Sequence, residues 1–291
     1  NIGNVAGAGL GIEAMTGLPV MWGALISALL AIGIFLFKEA GKAMDSFSKI
    51  LGTLMILLIL YVAITSHPPI FNAIQHTFIP EKFDALATLT LVGGTVGGYI
   101  SFAGAHRLLD SGIKGPESLP EVNKSASMGI IVTACIRYLL FLATLGILLT
   151  GAYINPENPT ASVFENAAGS LGRQMFGLMI WCAAITSVVG AAYTSISFIK
   201  SFHPLLEKYS TQLTILFIIV STTIFLLIGK PVKILVLVGT LNGFVLPIAL
   251  SILLVVSRKT RLMGTHKHPV LLQIAGWAVV LVLLWMGFKL I

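Results

Sequence analysis

The segment that decides the fold reads LVGGTVGGYISFAGAHR over residues 91–107 and contains two adjacent glycine pairs. Four glycines within six residues disfavour a helix, because each costs about 1 kcal/mol relative to alanine. The segment is otherwise apolar, and irregular backbone is tolerated at membrane depth only where it lines a cavity or is buried in protein. The pattern therefore predicts a transmembrane helix that is broken at the glycines, as in transporters that bind a substrate near the midplane. A close helix–helix contact through the same glycines is the alternative interpretation.

The composition around this segment is typical of a membrane protein. Of the 291 residues, 56% are hydrophobic and 10% are charged, whereas soluble domains are about a quarter charged. A water-soluble enzyme is thereby excluded. The sequence also lacks a Ser–His–Asp series, a His-x-x-x-His helix and a phosphate-binding glycine loop, so we expect no enzymatic activity. The two cysteines, Cys135 and Cys182, lie in apolar segments and do not form a disulfide framework.

Nine apolar stretches come close to the roughly 20 residues that a helix needs to cross a bilayer. They cover residues 1–17, 19–37, 47–66, 88–109, 129–152, 172–200, 211–228, 232–257 and 269–289. We therefore predict an all-α polytopic membrane protein with a single transmembrane domain over residues 1–291. The first stretch is short and rich in small residues, which predicts close packing on its neighbours. It begins without a methionine, so we expect helices upstream that this chain lacks.

Basic residues concentrate in alternate loops, which predicts the orientation of the chain. One set of loops contains twelve: Lys38, Lys42, Lys49, Arg107, Lys114, Lys124, Lys200, Lys208, Arg258, Lys259, Arg261 and Lys267. The other set contains five: Lys82, Arg173, Lys230, Lys233 and Lys289. The first set should face the cytoplasm of a multi-pass protein in the cell membrane. The net charge of +7 therefore reflects orientation in a lipid bilayer and does not indicate nucleic-acid binding.

The eighth and sixth segments contain further polar residues. Residues 238–247 read VGTLNGFVLP, in which asparagine, glycine and proline suggest a polar lining at mid-span. A kink at Pro247 that only repacks the bundle is an equal alternative. In the sixth segment, the hydroxyls of Thr186 and Ser187 are expected to bond their own backbone.

Among the ionisable residues inside predicted helices, Glu13 and Arg137 require an interpretation. Glu13 is near the outer end of the first segment, where it can reach the membrane interface. Arg137 is about half-way along the fifth segment, where charges are rare and often functional. An arginine whose side chain extends to the interface is an equal alternative for Arg137.

At these residues the chain resembles the NRAMP family of divalent-metal transporters, especially its divergent NRAMP-related branch. The resemblance covers the whole chain as the family's third to eleventh helices. Residues 1–17 are similar to the third helix, and residues 241–250 (LNGFVLPIAL), followed by 261–264, are similar to the tenth helix and its exit loop. It implies a LeuT-like fold of the APC superfamily that lacks its first two helices. The family's Asp-Pro-Gly-Asn signature, which belongs to the first helix, is absent.

The resemblance also implies metal-site positions within the glycine-rich segment, which corresponds to the family's unwound sixth helix. The usual Ala-x-x-Met-Pro-His sequence is replaced by GTVGGY over residues 94–99. The alanine carbonyl ligand maps to Gly94, and the methionine sulfur ligand maps to Gly97, which has no side chain. The residues implied to line the substrate path are Thr95, Gly98, Tyr99 and Asn242.

These departures from the family pattern imply a change of ion. A thioether favours transition metals, whereas Mg²⁺ prefers oxygen ligands and retains several waters. Loss of sulfur at Gly97 therefore implies Mg²⁺ or Mn²⁺ as the transported substrate, with no cofactor. The two acids on the third helix of classical members correspond to Asn1 and Asn4. Because an amide does not exchange a proton at physiological pH, we expect no proton coupling through these positions.

We therefore expect a secondary transporter that moves a divalent cation by alternating access. The 291-residue chain alone should not transport, because the strongest implied ligands lie in the absent helices. Two alternatives stay open. One is a LeuT-like transporter of an organic substrate such as an amino acid, since a half-helix N-terminus attracts a carboxylate. The other is a non-transporting membrane scaffold or sensor. The sequence carries no signal for the oligomeric state.

Overall fold

The computed structural model describes residues 1–96, 108, 112–264 and 268–290; within these ranges, residues 38–49, 51 and 116 are described by their backbone alone. The described part contains twelve α-helices, one short 3-10 helix and no strand. The helices are α1 (Ile2–Thr16), α2 (Val20–Leu36), α3 (Lys38–Thr65), α4 (Ile70–Phe78), α5 (Ala85–Val96), α6 (Leu119–Leu149), α7 (Pro159–Lys200), α8 (Pro204–Lys208), α9 (Ser210–Ile228), α10 (Pro231–Val256), α11 (Thr260–Met263) and α12 (Val270–Phe288).

Five of these helices, α6, α7, α9, α10 and α12, are long and apolar enough to cross a membrane. Two sharply bent pairs raise the number to seven if each pair counts as one span. They are α1 with α2, bent by 115°, and the second half of α3 with α4, bent by 107°. The shorter α5 is also apolar. The predicted all-α, polytopic class is confirmed.

Two helices begin well before their apolar segments. α3 begins at Lys38 instead of residue 47, and α6 begins at Leu119 instead of 129. The added turns of α3 and α6 carry charged residues, which an apolar window excludes although helices continue beyond the hydrocarbon layer. Arg137 lies near the middle of α6, in keeping with the position expected from the sequence.

α7 is two helices that meet at a backbone break. Ala168 and Gly169 have non-helical backbone angles, with φ 65° and ψ −161° at Gly169. That combination is essentially restricted to glycine, because a Cβ atom would clash with the neighbouring backbone. At the start of α7, the side chain of Asn158 accepts a hydrogen bond from the Ala161 amide at 3.4 Å. The segment from Pro159 to the break therefore forms a short capped helix with its own direction.

α1 lies at the centre of the bundle and packs against α2, α7, α9 and α10. Its small residues allow this approach, as the sequence predicts. A Cβ atom on Gly9 would lie 2.6 Å from the Val20 carbonyl oxygen, and one on Gly11 would lie 2.7 Å from the Cβ of Trp181. The surrounding apolar core includes Val5, which is 1% exposed. This close packing fixes the face of α1 that the candidate site uses.

Candidate functional site

α5 crosses α10 in direct backbone contact, and this crossing positions one wall of the candidate site. A Cβ atom on Gly93 would lie 2.0 Å from the Gly239 carbonyl oxygen and 2.2 Å from the Gly243 nitrogen. Beside this contact, the hydroxyls of Thr90 and Thr240 share a hydrogen bond of 2.7 Å. Gly93 therefore serves close packing, the alternative interpretation of the glycine-rich segment.

The predicted helix break is wrong for the first glycine pair. α5 is regular through Gly93 and Gly94 and extends to Val96. The second pair, Gly97 and Gly98, lies outside the described residues. Two adjacent glycines did not break the helix because tertiary packing against α10 outweighs their low helix propensity.

A cavity of about 1100 Å³ opens beside this crossing. It is lined by parts of α1, α2, α5, α7, α9 and α10. Four of the residues singled out from the sequence contribute to its lining: Asn1, Asn4, Gly94 and Asn242. Residues distant in the sequence thus meet around one space.

The other predicted path residues do not join this lining in the described structure. Thr95 is exposed, and its hydroxyl donates a hydrogen bond of 2.5 Å to the Leu91 carbonyl of its own helix. Gly97, Gly98 and Tyr99 lie outside the described residues. The metal-ligand role of Gly97 is therefore still a prediction.

Asn1 and Asn4 differ in their bonding. The Asn4 amide donates to the Ser187 carbonyl at 3.2 Å and so joins α1 to α7. Both polar side-chain atoms of Asn1 are buried, and within the described part of the chain neither has a hydrogen-bond partner. Buried amides in folded proteins are nearly always paired, with protein, water or a ligand. Asn1 thus supplies an unused donor and an unused acceptor beside the cavity.

Hydroxyl groups of α7 also line the cavity. Thr186 donates to the Cys182 carbonyl at 3.0 Å, and Ser187 donates to the Ala183 carbonyl at 2.7 Å. This backbone bonding confirms the structural role predicted for them, yet their oxygens keep lone pairs that can accept a bond. Several other lining residues were not predicted to have a functional role: Lys200, Ser210, Thr211 and Thr214.

The charge of the lining is unusual for a cation site. Among the residues that the structure describes, the lining contains no Asp, Glu, Cys, Met or His, and Lys200 is its one charged side chain. Nor do the described residues include any group of three His, Cys, Asp or Glu side chains that could hold a metal. The described cavity therefore offers neutral oxygens, from amides, hydroxyls and backbone carbonyls.

Arg137 approaches the candidate site from α6. Its Nη2 atom donates to the Gly94 carbonyl oxygen across 3.4 Å. This is the carbonyl that the family resemblance assigns to the ion. A guanidinium from mid-helix thus contacts a predicted ligand.

A second polar cluster joins α1 to both parts of α7. Glu13 accepts a hydrogen bond from Arg173 through one carboxylate oxygen and from the Asn158 amide, at 2.7 Å, through the other. Asn158 also donates to the Leu10 carbonyl at 3.2 Å. Arg173 pairs in addition with Glu165 at 3.2 Å, across the break in α7. Glu13 is therefore held in a network, which its expected position near the interface did not reveal.

Comparisons with known proteins agree with the resemblance. Residues 1–291 match the Nramp family, described as "Natural resistance-associated macrophage protein-like". An uncharacterized membrane protein of Bacillus subtilis, YcsG, is 56% identical over 287 residues, which cover 99% of this chain and 71% of that protein. An uncharacterized membrane protein of Haemophilus influenzae is 48% identical over 283 residues, which cover 97% of this chain and 71% of that protein.

Proposed function

The chain belongs to the Nramp family of membrane metal-ion transporters, and from that premise we propose that it moves Mg²⁺ or Mn²⁺ across the plasma membrane by alternating access. The family membership confirms the LeuT-like fold expected from the sequence. The Nramp family is a family of transporters and not of enzymes. The ion in this proposal is the transported substrate and not a cofactor. The parts of this statement that we propose are the preference for Mg²⁺ or Mn²⁺, the alternating-access mechanism and the location in the plasma membrane.

The observation that carries the proposal is the convergence of Gly94, Asn242, Asn1 and Asn4 on one cavity. All four can offer neutral oxygen atoms, from a backbone carbonyl or an amide side chain. Oxygen ligands together with retained water suit Mg²⁺ and Mn²⁺, whereas sulfur ligands select softer metals. The absence of Cys and Met from the described lining supports the same preference.

The same cavity supports transport without proton coupling through the usual positions. Asn4 donates its amide to the Ser187 carbonyl, and neither Asn4 nor Asn1 can carry a proton between the two sides. A titratable residue on this wall would make binding depend on pH, because its charge would change with protonation. We therefore propose that ion flux follows the ion's own electrochemical gradient.

Uptake into liposomes that contain the full-length gene product tests this function. Mg²⁺, Mn²⁺ and Ca²⁺ are compared with and without an imposed proton gradient. We expect flux of Mg²⁺ or Mn²⁺ that exceeds flux of Ca²⁺ and is unchanged by the proton gradient. Absence of all three fluxes would refute the proposal, and flux that follows the proton gradient would refute its uncoupled form.

Replacing Gly97 with methionine should shift selectivity towards softer ions, because it restores a thioether at the implied ligand position. We expect uptake of Cd²⁺ relative to Mg²⁺ to rise about tenfold, which equals about 1.4 kcal/mol of differential binding. The matched control is Gly97→Leu, which adds similar bulk without sulfur. Equal selectivity in the two variants would show that residue 97 does not contact the ion.

A second candidate, transport of an organic anion such as a carboxylate, is favoured by the charge of the cavity. Lys200 is the one charged group in its described lining, and Arg137 reaches Gly94 from α6. Positive charge near a site raises the local concentration of anions. The same liposomes discriminate the two candidates. Counterflow of labelled amino acids or small carboxylates without divalent-ion flux would establish the organic substrate.

A further inference from the structure

Arg137 lies at a position where a charged side chain is energetically unfavourable. It is a charged residue in the middle of α6 (Leu119–Leu149), one of the five helices long and apolar enough to cross a membrane. An arginine at the centre of a transmembrane helix costs about 3 kcal/mol on biological insertion scales, and such residues usually serve a transport pathway. A charged residue at this position is therefore expected to have either a stabilising partner or a functional role.

Arg137 donates a hydrogen bond from Nη2 to the Gly94 carbonyl oxygen at 3.4 Å. In the described part of the chain, the ion pairs involve His76 with Glu81, and Arg173 with Glu13 and Glu165, so none neutralises Arg137. Among the described residues, the guanidinium therefore lies without an ion-pair partner next to a carbonyl that borders the cavity.

Space around Gly94 permits this approach. A Cβ atom built on Gly94 would meet no atom of the described residues within 4 Å, in contrast to the tightly enclosed Gly93. The described residues thus leave space beside Gly94, which contacts a side chain from α6 through its carbonyl and also lines the cavity.

We infer that Arg137 is a built-in cation that competes with the transported ion for the Gly94 carbonyl. The inference rests on the proposed function and deepens it by naming what controls the affinity of the site. When the site is empty, the guanidinium stabilises the carbonyl. When the divalent ion enters, the guanidinium is displaced, and repulsion between the two positive charges weakens binding and promotes release.

This arrangement gives the uncoupled transporter a means of releasing its ion. In a proton-coupled design, protonation of an acid adds positive charge and helps the metal leave. An arginine guanidinium stays protonated at every physiological pH, so Arg137 supplies that charge permanently. Release assisted in this way needs no titratable residue, which agrees with amides at Asn1 and Asn4.

The experiment measures Mn²⁺ affinity of the full-length gene product in lipid nanodiscs by titration calorimetry. Arg137→Gln removes the charge and keeps a polar side chain, Arg137→Lys keeps the charge, and Arg258→Gln removes an exposed arginine after α10 as the control. We expect Arg137→Gln to bind Mn²⁺ about tenfold more tightly, because a like charge near the ion is gone. Arg137→Lys and the control should stay within about threefold of the parent.

Chemical rescue separates competition from a purely structural role. In Arg137→Ala, millimolar guanidinium ion should enter the vacated space and lower Mn²⁺ affinity towards that of the parent. The same addition should leave the parent protein unchanged. A structural contact between α5 and α6 would not produce competition between Mn²⁺ and a free cation. If Arg137→Gln fails to fold, Arg137→Met provides the same loss of charge with an apolar side chain of similar length.

The possible outcomes are distinct. Arg137→Gln that binds Mn²⁺ like the parent, or more weakly, overturns the inference while the proposed function stands. A folded parent that binds neither Mn²⁺ nor Mg²⁺ overturns the proposed function and the inference with it. Tighter binding in the charge-removing variants, with competition by guanidinium in Arg137→Ala, supports both.

Discussion

Replacing Gly93 with alanine should lower the free energy of unfolding by about 3 kcal/mol or more, at the upper end of the range for overpacked sites. The new Cβ atom would lie 2.0 Å from the Gly239 carbonyl oxygen and 2.2 Å from the Gly243 nitrogen. Both neighbours are backbone atoms of α10 and cannot rotate away, so the two helices must separate. Thermal unfolding of the full-length gene product in detergent should show a midpoint about 5–10 °C lower than that of the parent.

The adjacent glycine provides the matched control. Gly94→Ala changes the same residue type in the same helix, but its Cβ atom would meet no described atom within 4 Å. We expect a neutral effect or a gain of up to about 1 kcal/mol, because alanine favours the helix over glycine. Equal midpoints for the two variants would mean that α5 and α10 do not make this contact.

Replacing Arg173 with alanine should destabilise the protein by about 2 kcal/mol, between the values for exposed and buried ion pairs. The change leaves Glu13, whose side chain is 21% exposed, without its cationic partner. It also removes the bridge to Glu165 across the break in α7. The loss should appear as a lower unfolding midpoint, together with faster proteolysis between Pro159 and Gly169.

Two further variants test whether the unpaired charge causes this loss. Glu165→Gln removes the more exposed partner of Arg173, at 44% exposure, and should cost less than about 1 kcal/mol. Glu13→Gln combined with Arg173→Ala should recover part of the stability, because no uncompensated carboxylate is left. An Arg173→Ala variant as stable as Glu165→Gln would contradict the proposed importance of the pair.

Much of the architecture follows from the sequence because the bilayer imposes it. The chain has long apolar segments with few charges, and lipid does not tolerate unpaired backbone N–H and C=O groups. A helical bundle satisfies both conditions. The small residues of the first segment likewise indicate a closely packed helix, and α1 is closely packed. Helix ends were harder to predict, as at Lys38 and Leu119, because hydropathy marks the apolar part of a helix and not its hydrogen-bonded length.

The candidate site was likewise predictable from the sequence only in part. The family resemblance selected Gly94, Asn242, Asn1 and Asn4, and the structure brings these four together around one cavity. It could not distinguish Gly93 from Gly94, since the two are identical and adjacent in the sequence. Their environments differ because a helix turns about 100° per residue, so one faces α10 and the other faces open space.

The sequence by itself determined the fold class and the family, because these depend on composition and residue type. It also predicts a site of neutral oxygen ligands. Only the tertiary structure decided which residues meet. It placed Arg137 against the Gly94 carbonyl, 43 positions away, and Arg173 against Glu13, 160 positions away. Sequence spacing carries no signal for such contacts, because they arise from helix packing between distant segments. The two charged residues left open by the sequence, Glu13 and Arg137, acquire their partners only in the folded bundle.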